Sequence, residues 1–510
     1  MIASPPTPTV SRALFASVFL IASCGLIYEL VAGALASYLL GNSVTQFSLV
    51  IGTYLSAMGV GSWLSRHIER NLVVRFVEIE VAVALIGGFE APLLYAGFAI
   101  TPAFRPLLFS LVGLVGIGVG LELPLLLRIL ERHTSLKELI ARALFLDYIG
   151  AFAASLIFPI LLVPQLGLLR TSLVLGLVNA GVAYWTTWLF DLPPPVATRL
   201  RLISGGAVLA LAAGLAGAAE IETRVDQALF ADPVVYREAT PYQKIVVTSD
   251  GHDTRLYLDG NLQFSALDEY RYHEALVHPA LSLGRPRRVL VLGGGDGLAV
   301  REILKHRVQE VVLVDLDPAM TRLFSSTFAE LNEHALDDPR VTVVNADAFS
   351  WLESSTEQFD AAIVDFPDPN DYALGKLYTT HFYRTLRARL APGAAVAIQS
   401  TSPFYAANAY WCVVRTVEAS GFSVYPYHQW VPAFGDWGFV LATLDGADTR
   451  DLLAGKADFP RPIRSLDARS AAAMFVFAPD MWRGDGPINR LDNQVLVRLY
   501  EEDWHDMMGR

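Results

Sequence analysis

An α-helical transmembrane bundle followed by an α/β Rossmann-like domain is the fold class this sequence predicts. Three observations predict it. Apolar residues crowd the first 220 positions, in runs long enough to cross a bilayer. Residues 288–315 set a strand, a glycine-rich turn, a helix and a second strand in order. Further short apolar runs beyond them each end close to an aspartate.

The composition agrees with a membrane half. Of 510 residues, 53% are hydrophobic and only 18% charged, too apolar for an ordinary soluble enzyme. Seven spans are read, at residues 14–40, 47–64, 73–100, 107–129, 139–163, 168–190 and 202–219. About 20 residues suffice to cross the hydrocarbon core. The first span is no cleavable signal, since it exceeds a signal core and more spans follow. Glu29, Glu122 and Asp147 lie within apolar stretches, and Glu78, Glu80 and Glu90 lie in the third. An acid there is costly to bury. One reading is a cation site or passage between helices. The other is hydrogen bonding between helices, or an acid near the interface, which suits Glu78 and Glu80 better.

The net charge of −12 argues against nucleic acid as a partner and suits cationic ligands. Two cysteines, Cys24 and Cys412, are too few for a disulfide framework. Pro193-Pro194-Pro195 marks a loop before the last span, and the polar stretch 221–238 reads as a linker after it. Residues 239–287 read as a small β region, with a hairpin turning at Ser249-Asp250-Gly251.

Residues 288–510 read as the Rossmann-like (class I methyltransferase-like) domain. The strand 289–292 enters Gly293-Gly294-Gly295-Asp296-Gly297. Gly293 and Gly295 permit a tight turn and close approach of a ligand to backbone. The strand 311–314 ends on Asp315, placed for ribose hydroxyls. Asp296 would repel a pyrophosphate, so it favours a positively charged adenosine ligand over NAD. The run 341–344 leads into Asn345-Ala346-Asp347-Ala348, and the run 361–364 ends on Asp365 with Asp368 three residues on. Open α/β sheets bind ligands at such strand ends. Asp296, Asp315, Asp347, Asp365 and Asp368 are therefore expected at one crevice. Taken alone, Asp347 reads equally well as a helix cap.

Together these pieces resemble the spermidine synthase (polyamine aminopropyltransferase) family in its multi-pass, membrane-bound form. The resemblance rests on Tyr242-Gln243, LDGNLQ at 258–263, DEYRYHE at 268–274, the GGGDG turn with Arg301-Glu302, NADA at 345–348, DFPDP at 365–369 and FGDWGF at 434–439. It implies transfer of an aminopropyl group from decarboxylated S-adenosylmethionine to a di- or polyamine such as putrescine, giving spermidine and methylthioadenosine. It implies that Gln243, Asp315, Asp347 and Ala348 hold the methylthioadenosine part. Asp296 would hold the amine of the aminopropyl arm. Tyr272, His273 and Asp368 would contact the polyamine, and Asp365 would accept the proton. No metal or covalent intermediate is required.

The chain departs from the family at Phe366-Pro367 and at Asn370-Asp371-Tyr372, which stand where the acceptor is expected. The resemblance places the protein in the cell (inner) membrane, with the lipid bilayer as a partner, and leaves a homo-oligomer open. A polyamine is then one candidate for the cation at Glu29, Glu122 and Asp147. The basic loop residues put the amino terminus in the cytoplasm, and seven spans then put the α/β half outside, away from a cytosolic cofactor. The face is left undecided. Two alternatives stand beside this reading: a methyltransferase using S-adenosylmethionine, and a polyamine-binding sensor or transporter with a ligand-binding synthase-like domain.

Overall fold

The computed structural model describes residues 8–40, 43–101, 103–131, 136–445, 447–482 and 486–508. It divides into two compact units, Met1–Val234 and Val235–Arg510.

The first unit is helical: α1 (Pro8–Leu40), α2 (Ser43–Leu64), α3 (Leu72–Ile100), α4 (Phe104–Leu130), α5 (Leu136–Ile157), α6 (Val163–Leu189), α7 (Pro194–Ala216) and α8 (Ala218–Leu229). The seven expected spans follow the first seven helices in order, the fifth running through α5 into the π turn after it and the seventh passing the end of α7 into α8. Among the described residues five stretches are long and apolar enough to cross a membrane: Phe15–Leu40, Ser43–His67, Phe104–Leu130, Lys137–Leu189 and Pro194–Ala216. The acid-bearing α3 is not among them. The expected break between the fifth and sixth spans falls at Gly167, whose φ of 72° and ψ of 173° are not helical, so two helices meet at a kink within α6. Ahead of it a π turn, Phe158–Leu162, carries α5 into α6. Pro159 and Pro164 each remove a backbone donor there, which the π turn accommodates. The stretch read as a linker, 221–238, holds most of α8 and the start of a strand. Charged residues of α8 are paired, as in Glu220–Arg224 and Arg170–Glu222.

The second unit opens with a four-stranded sheet, β1 (Val234–Ala239), β2 (Lys244–Ser249), β3 (Thr254–Leu258) and β4 (Asn261–Ser265), in sequential order. The expected hairpin closes with Ser249 opposite Thr254. Then come α9 (Glu269–Leu281), β5 (Arg288–Gly293), α10 (Leu298–Leu304), β6 (Glu310–Asp315), α11 (Pro318–Phe324), β7 (Val341–Asn345), α12 (Ala348–Ser354) and β8 (Phe359–Asp365). The chain continues through α13 (Tyr372–Gly375), α14 (Thr380–Arg387), β9 (Leu390–Gln399), α15 (Ala407–Glu418), β10 (Ser423–Val431), β11 (Gly435–Thr443), α16 (Arg450–Leu453), α17 (Ala468–Ala473) and α18 (Val495–Met508).

Among the described residues seven strands form one sheet in the order β10-β11-β9-β8-β5-β6-β7; β11 runs antiparallel to both its neighbours, and the other strands all share one direction. The parallel strands read as unbroken apolar runs because both faces are covered. Val289 and Val291 of β5 belong to one buried cluster, and Leu290 and Leu292 to the other. The chain runs outward from β5 through β6 to β7, then returns to lay β8 on the other side of β5. That reversal leaves a crevice at the carboxyl ends of β5 and β8.

Candidate active site

The register places Gly293 beside Asp365 at this reversal. Gly293 has φ 79°, and a Cβ there would lie 2.3 Å from the Asp365 carbonyl oxygen. Two residues on, a Cβ at Gly295 would meet the Asp315 carboxyl at 2.7 Å. The two glycines thus let the turn lie directly against the ends of β8 and β6. Asp315 is oriented by backbone: Gly295 N–H donates to Oδ2 at 3.0 Å and Asp317 N–H to Oδ1 at 2.9 Å. Burial lifts its pKa to about 6 against these two donors.

Gln243 reaches the same edge through a residue the sequence reading missed. Its Nε2 donates to Asp317 Oδ2 at 3.0 Å, and the Thr240 hydroxyl donates to the same oxygen at 2.8 Å. The other oxygen of Asp317 caps α11 through Ala319 N–H. An acid just before a proline that opens a helix is a capping signal, so Asp317-Pro318 was findable.

Asp296 is buried in the turn, and its Oδ1 accepts from Leu298 N–H at 2.9 Å. Burial pushes its pKa up to about 6, opposed by the charge of His273 and reinforced by Asp365. At the end of β8, the Tyr272 hydroxyl donates to Asp365 Oδ1 at 2.6 Å. Burial raises Asp365, while His273 and the Tyr272 hydrogen bond pull it down. Asp368 accepts from Gln399 Nε2 at 2.7 Å and from the Thr401 hydroxyl at 2.9 Å, with Tyr500 a further hydrogen-bond partner. Burial still raises it. No local motif pointed to Gln399, Thr401 or Tyr500.

His273 is buried on α9. Its Nδ1 lies 2.7 Å from Glu269 Oε2 and 2.9 Å from the Glu269 carbonyl oxygen. Both partners are acceptors, so Nδ1 carries a proton. Burial works to lower the imidazolium, but Glu269, with Asp296 and Asp365, outweighs it and lifts the pKa to about 9.

Asp347 behaves differently from the other acids. Its carboxylate caps α12 through Ser350 N–H at 2.9 Å and pairs with Lys376 Nζ at 2.8 Å. The cap and the lysine fix the side chain in place, and it stays about a third exposed (31%), with acceptor positions left for a ligand. Phe366, one of the departures, is buried against the Tyr378 and Phe382 rings rather than standing in the crevice. Asp371 caps α13.

A spermine/spermidine synthase domain family matches residues 269–451. A polyamine aminopropyltransferase of Leptospira interrogans is 49% identical over 503 residues, covering 98% of this chain and all of the relative. The polyamine aminopropyltransferase 2 of Ralstonia nicotianae is 51% identical over 506 residues, covering 97% and 98%. The chain belongs to the polyamine aminopropyltransferase family. It is a transferase, and the similarity takes in the helical unit as well as the α/β unit. A crystal structure of a spermidine synthase in complex with the transition-state analogue AdoDATO is also similar, with 25% identity, a TM-score of 0.45 and coverage of 48% of this chain and 85% of that one.

In the helical unit, Glu29 and Glu122 are buried and Asp147 is partly so. Glu78 sits between Arg75 and Arg199 in ordinary ion pairs. Glu80 is fully buried, and its carboxyl lies within hydrogen-bonding reach of the Glu122 carboxyl on α4, a contact between helices of the kind expected for it. Among the described residues neither oxygen of the buried Glu90 has a hydrogen-bond partner.

Proposed function

We propose that this transferase is a membrane-anchored enzyme of the cell (inner) membrane. In this reading it moves the aminopropyl group of decarboxylated S-adenosylmethionine to a di- or polyamine, with putrescine to spermidine the first candidate. The observation that carries the reading is the pairing of Asp296 and Asp365 across the crevice at the β5–β8 reversal. Asp296 suits the cationic aminopropyl arm, and Asp365 suits the attacking amine. Asp315, Gln243, Asp347 and Ala348 take the methylthioadenosine part, with Gly293 and Gly295 keeping the turn low enough for it. Asp368, Tyr272 and His273 line the acceptor end.

An alkylammonium, with a pKa near ~10, cannot attack carbon until it loses a proton. Asp365 takes that proton. The freed nitrogen then bonds to the carbon beside the sulfonium, the carbon–sulfur bond breaks, and methylthioadenosine leaves. Tyr272 holds Asp365 in line for this at 2.6 Å. The five long apolar stretches support anchoring in the bilayer.

Binding of the donor tests the reading without turnover. Asp296 attracts a donor that ends in an amine and disfavours one that adds a carboxylate at the same place. Calorimetry on the full chain is expected to give tighter binding of decarboxylated S-adenosylmethionine than of S-adenosylmethionine. Equal or stronger binding of S-adenosylmethionine would favour methyl transfer instead.

A further inference from the structure

Glu269 has no part in the chemistry above, yet it is held between two basic side chains, Arg301 and His273. Arg301 Nη2 reaches both of its oxygens at 2.9 Å. Arg301 is itself pinned, by Glu302 Oε1 at 3.0 Å and by the Leu331 carbonyl at 2.8 Å. Glu269 therefore cannot swing away from His273, and its Oε2 stays on the Nδ1 proton at 2.7 Å.

The groups that act on His273 come from three elements. Glu269 shares α9 with it, Asp296 comes from the glycine turn before α10, and Asp365 from the end of β8. The Tyr272 ring stands beside it at 4.9 Å. Asp296 and Asp365 are like charges in one buried crevice, and each makes ionisation of such a pair harder. Asp365 raises Asp296, whereas His273 lowers both. Asp368 lies outside this influence and is held by its own donors.

We propose that Glu269, clamped by Arg301, is a positioning residue that keeps His273 a fixed cation, and that this cation lets Asp296 and Asp365 be ionised together before substrates arrive. The proposal rests on the aminopropyl-transfer reading for its consequence in turnover, but not for the charge on His273. Burial works against Glu269, and His273 and Arg301 outweigh it to hold the acid below its ordinary value. The two partners therefore agree in direction.

The test uses full-length protein with Glu269→Gln, Glu269→Asp, His273→Gln and the double variant Glu269→Gln/His273→Gln. The first readout is kcat/KM for decarboxylated S-adenosylmethionine against pH. Glu269→Gln is expected to move the acidic limb to higher pH by about one pH unit, so the loss is large near about pH 6 and fades by about pH 8.5. Glu269→Asp keeps the wild-type limb. His273→Gln moves the limb as Glu269→Gln does, and the double variant moves it no further. A loss that is uniform in pH, with the limb unmoved, makes Glu269 a structural residue and overturns the proposal. So do limb shifts that add in the double variant. If Glu269→Gln does not fold, Glu269→Asp and His273→Gln decide alone.

The second readout needs no reaction. Histidine-selective NMR, with the His273 signal identified by its loss in His273→Gln, is expected to show titration near about 9 in wild type and near about 6.5 in Glu269→Gln. A wild-type His273 titrating at the ordinary value overturns the proposal. An inactive wild type with His273 titrating high would sink the aminopropyl-transfer reading and leave this one standing.

Discussion

Buried carboxyl groups occur in both units, and their surroundings are opposite. In the α/β unit each site acid has a named donor: Gly295 and Asp317 for Asp315, Leu298 for Asp296, Tyr272 for Asp365, Gln399 and Thr401 for Asp368. In the helical unit, Glu80, Glu90 and Glu122 are more deeply buried; Glu80 and Glu122 have only each other within hydrogen-bonding reach, and Glu90 has no partner among the described residues. A buried polar group left without a partner costs about 1–3 kcal/mol. The first set is oriented by donors, as the proposed ligand-holding role requires. The second is a pair of acids facing each other and a single acid, Glu90, without a partner among the described residues.

The largest effect is expected at the base. Asp365→Asn removes the proton acceptor while keeping the Tyr272 hydrogen bond within reach. Turnover should fall by at least ~100-fold with the fold intact by circular dichroism. Near-normal turnover in this variant would remove Asp365 from its role and blur the contrast between the two sets of acids.

Acid pH gives the next effect. Asp296 has its pKa raised to about 6, so it is ionised above that value and protonated below it. The affinity for a donor with an ammonium arm should be present above about pH 6 and lost as pH falls through it. Measuring KM for the donor from about pH 5 to about pH 8 checks this. A KM flat across that range would mean that Asp296 does not hold the amine.

The smallest effect on turnover, and the sharpest test of the contrast, lies in the helical unit. Glu122→Gln and Asp147→Asn keep hydrogen bonding but remove charge. If these acids bind a cation, polyamine binding or transport in liposomes should fall while aminopropyl transfer stays within about twofold. Unchanged binding and transport in a folded protein would make them contacts between helices.

Much of this was legible in the chain because strand ends are local features. An apolar run, a glycine turn and a terminal acid occupy adjacent positions, so Gly293, Asp296, Asp315 and Asp365 declare their place without tertiary information. The partners of those acids do not. Arg301 meets Glu269 across 32 positions, and Thr401 meets Asp368 across 33. No periodicity encodes such pairings. Asp347 shows the converse limit: a strand-end acid and a helix cap share one sequence pattern, and only the Lys376 and Ser350 contacts separate them. In the helical unit, the gap between the spans 139–163 and 168–190 was legible too, since the backbone leaves helical geometry at Gly167.

The central claim is aminopropyl transfer from decarboxylated S-adenosylmethionine to an amine. Mass spectrometry of the purified full chain, incubated with that donor and a panel of di- and polyamines, tests it most directly. The account predicts methylthioadenosine and an acceptor longer by one aminopropyl group, formed in equal amounts and greatly reduced with Asp365→Asn. No aminopropylated product from any amine, or a methylated product formed from S-adenosylmethionine, would contradict it.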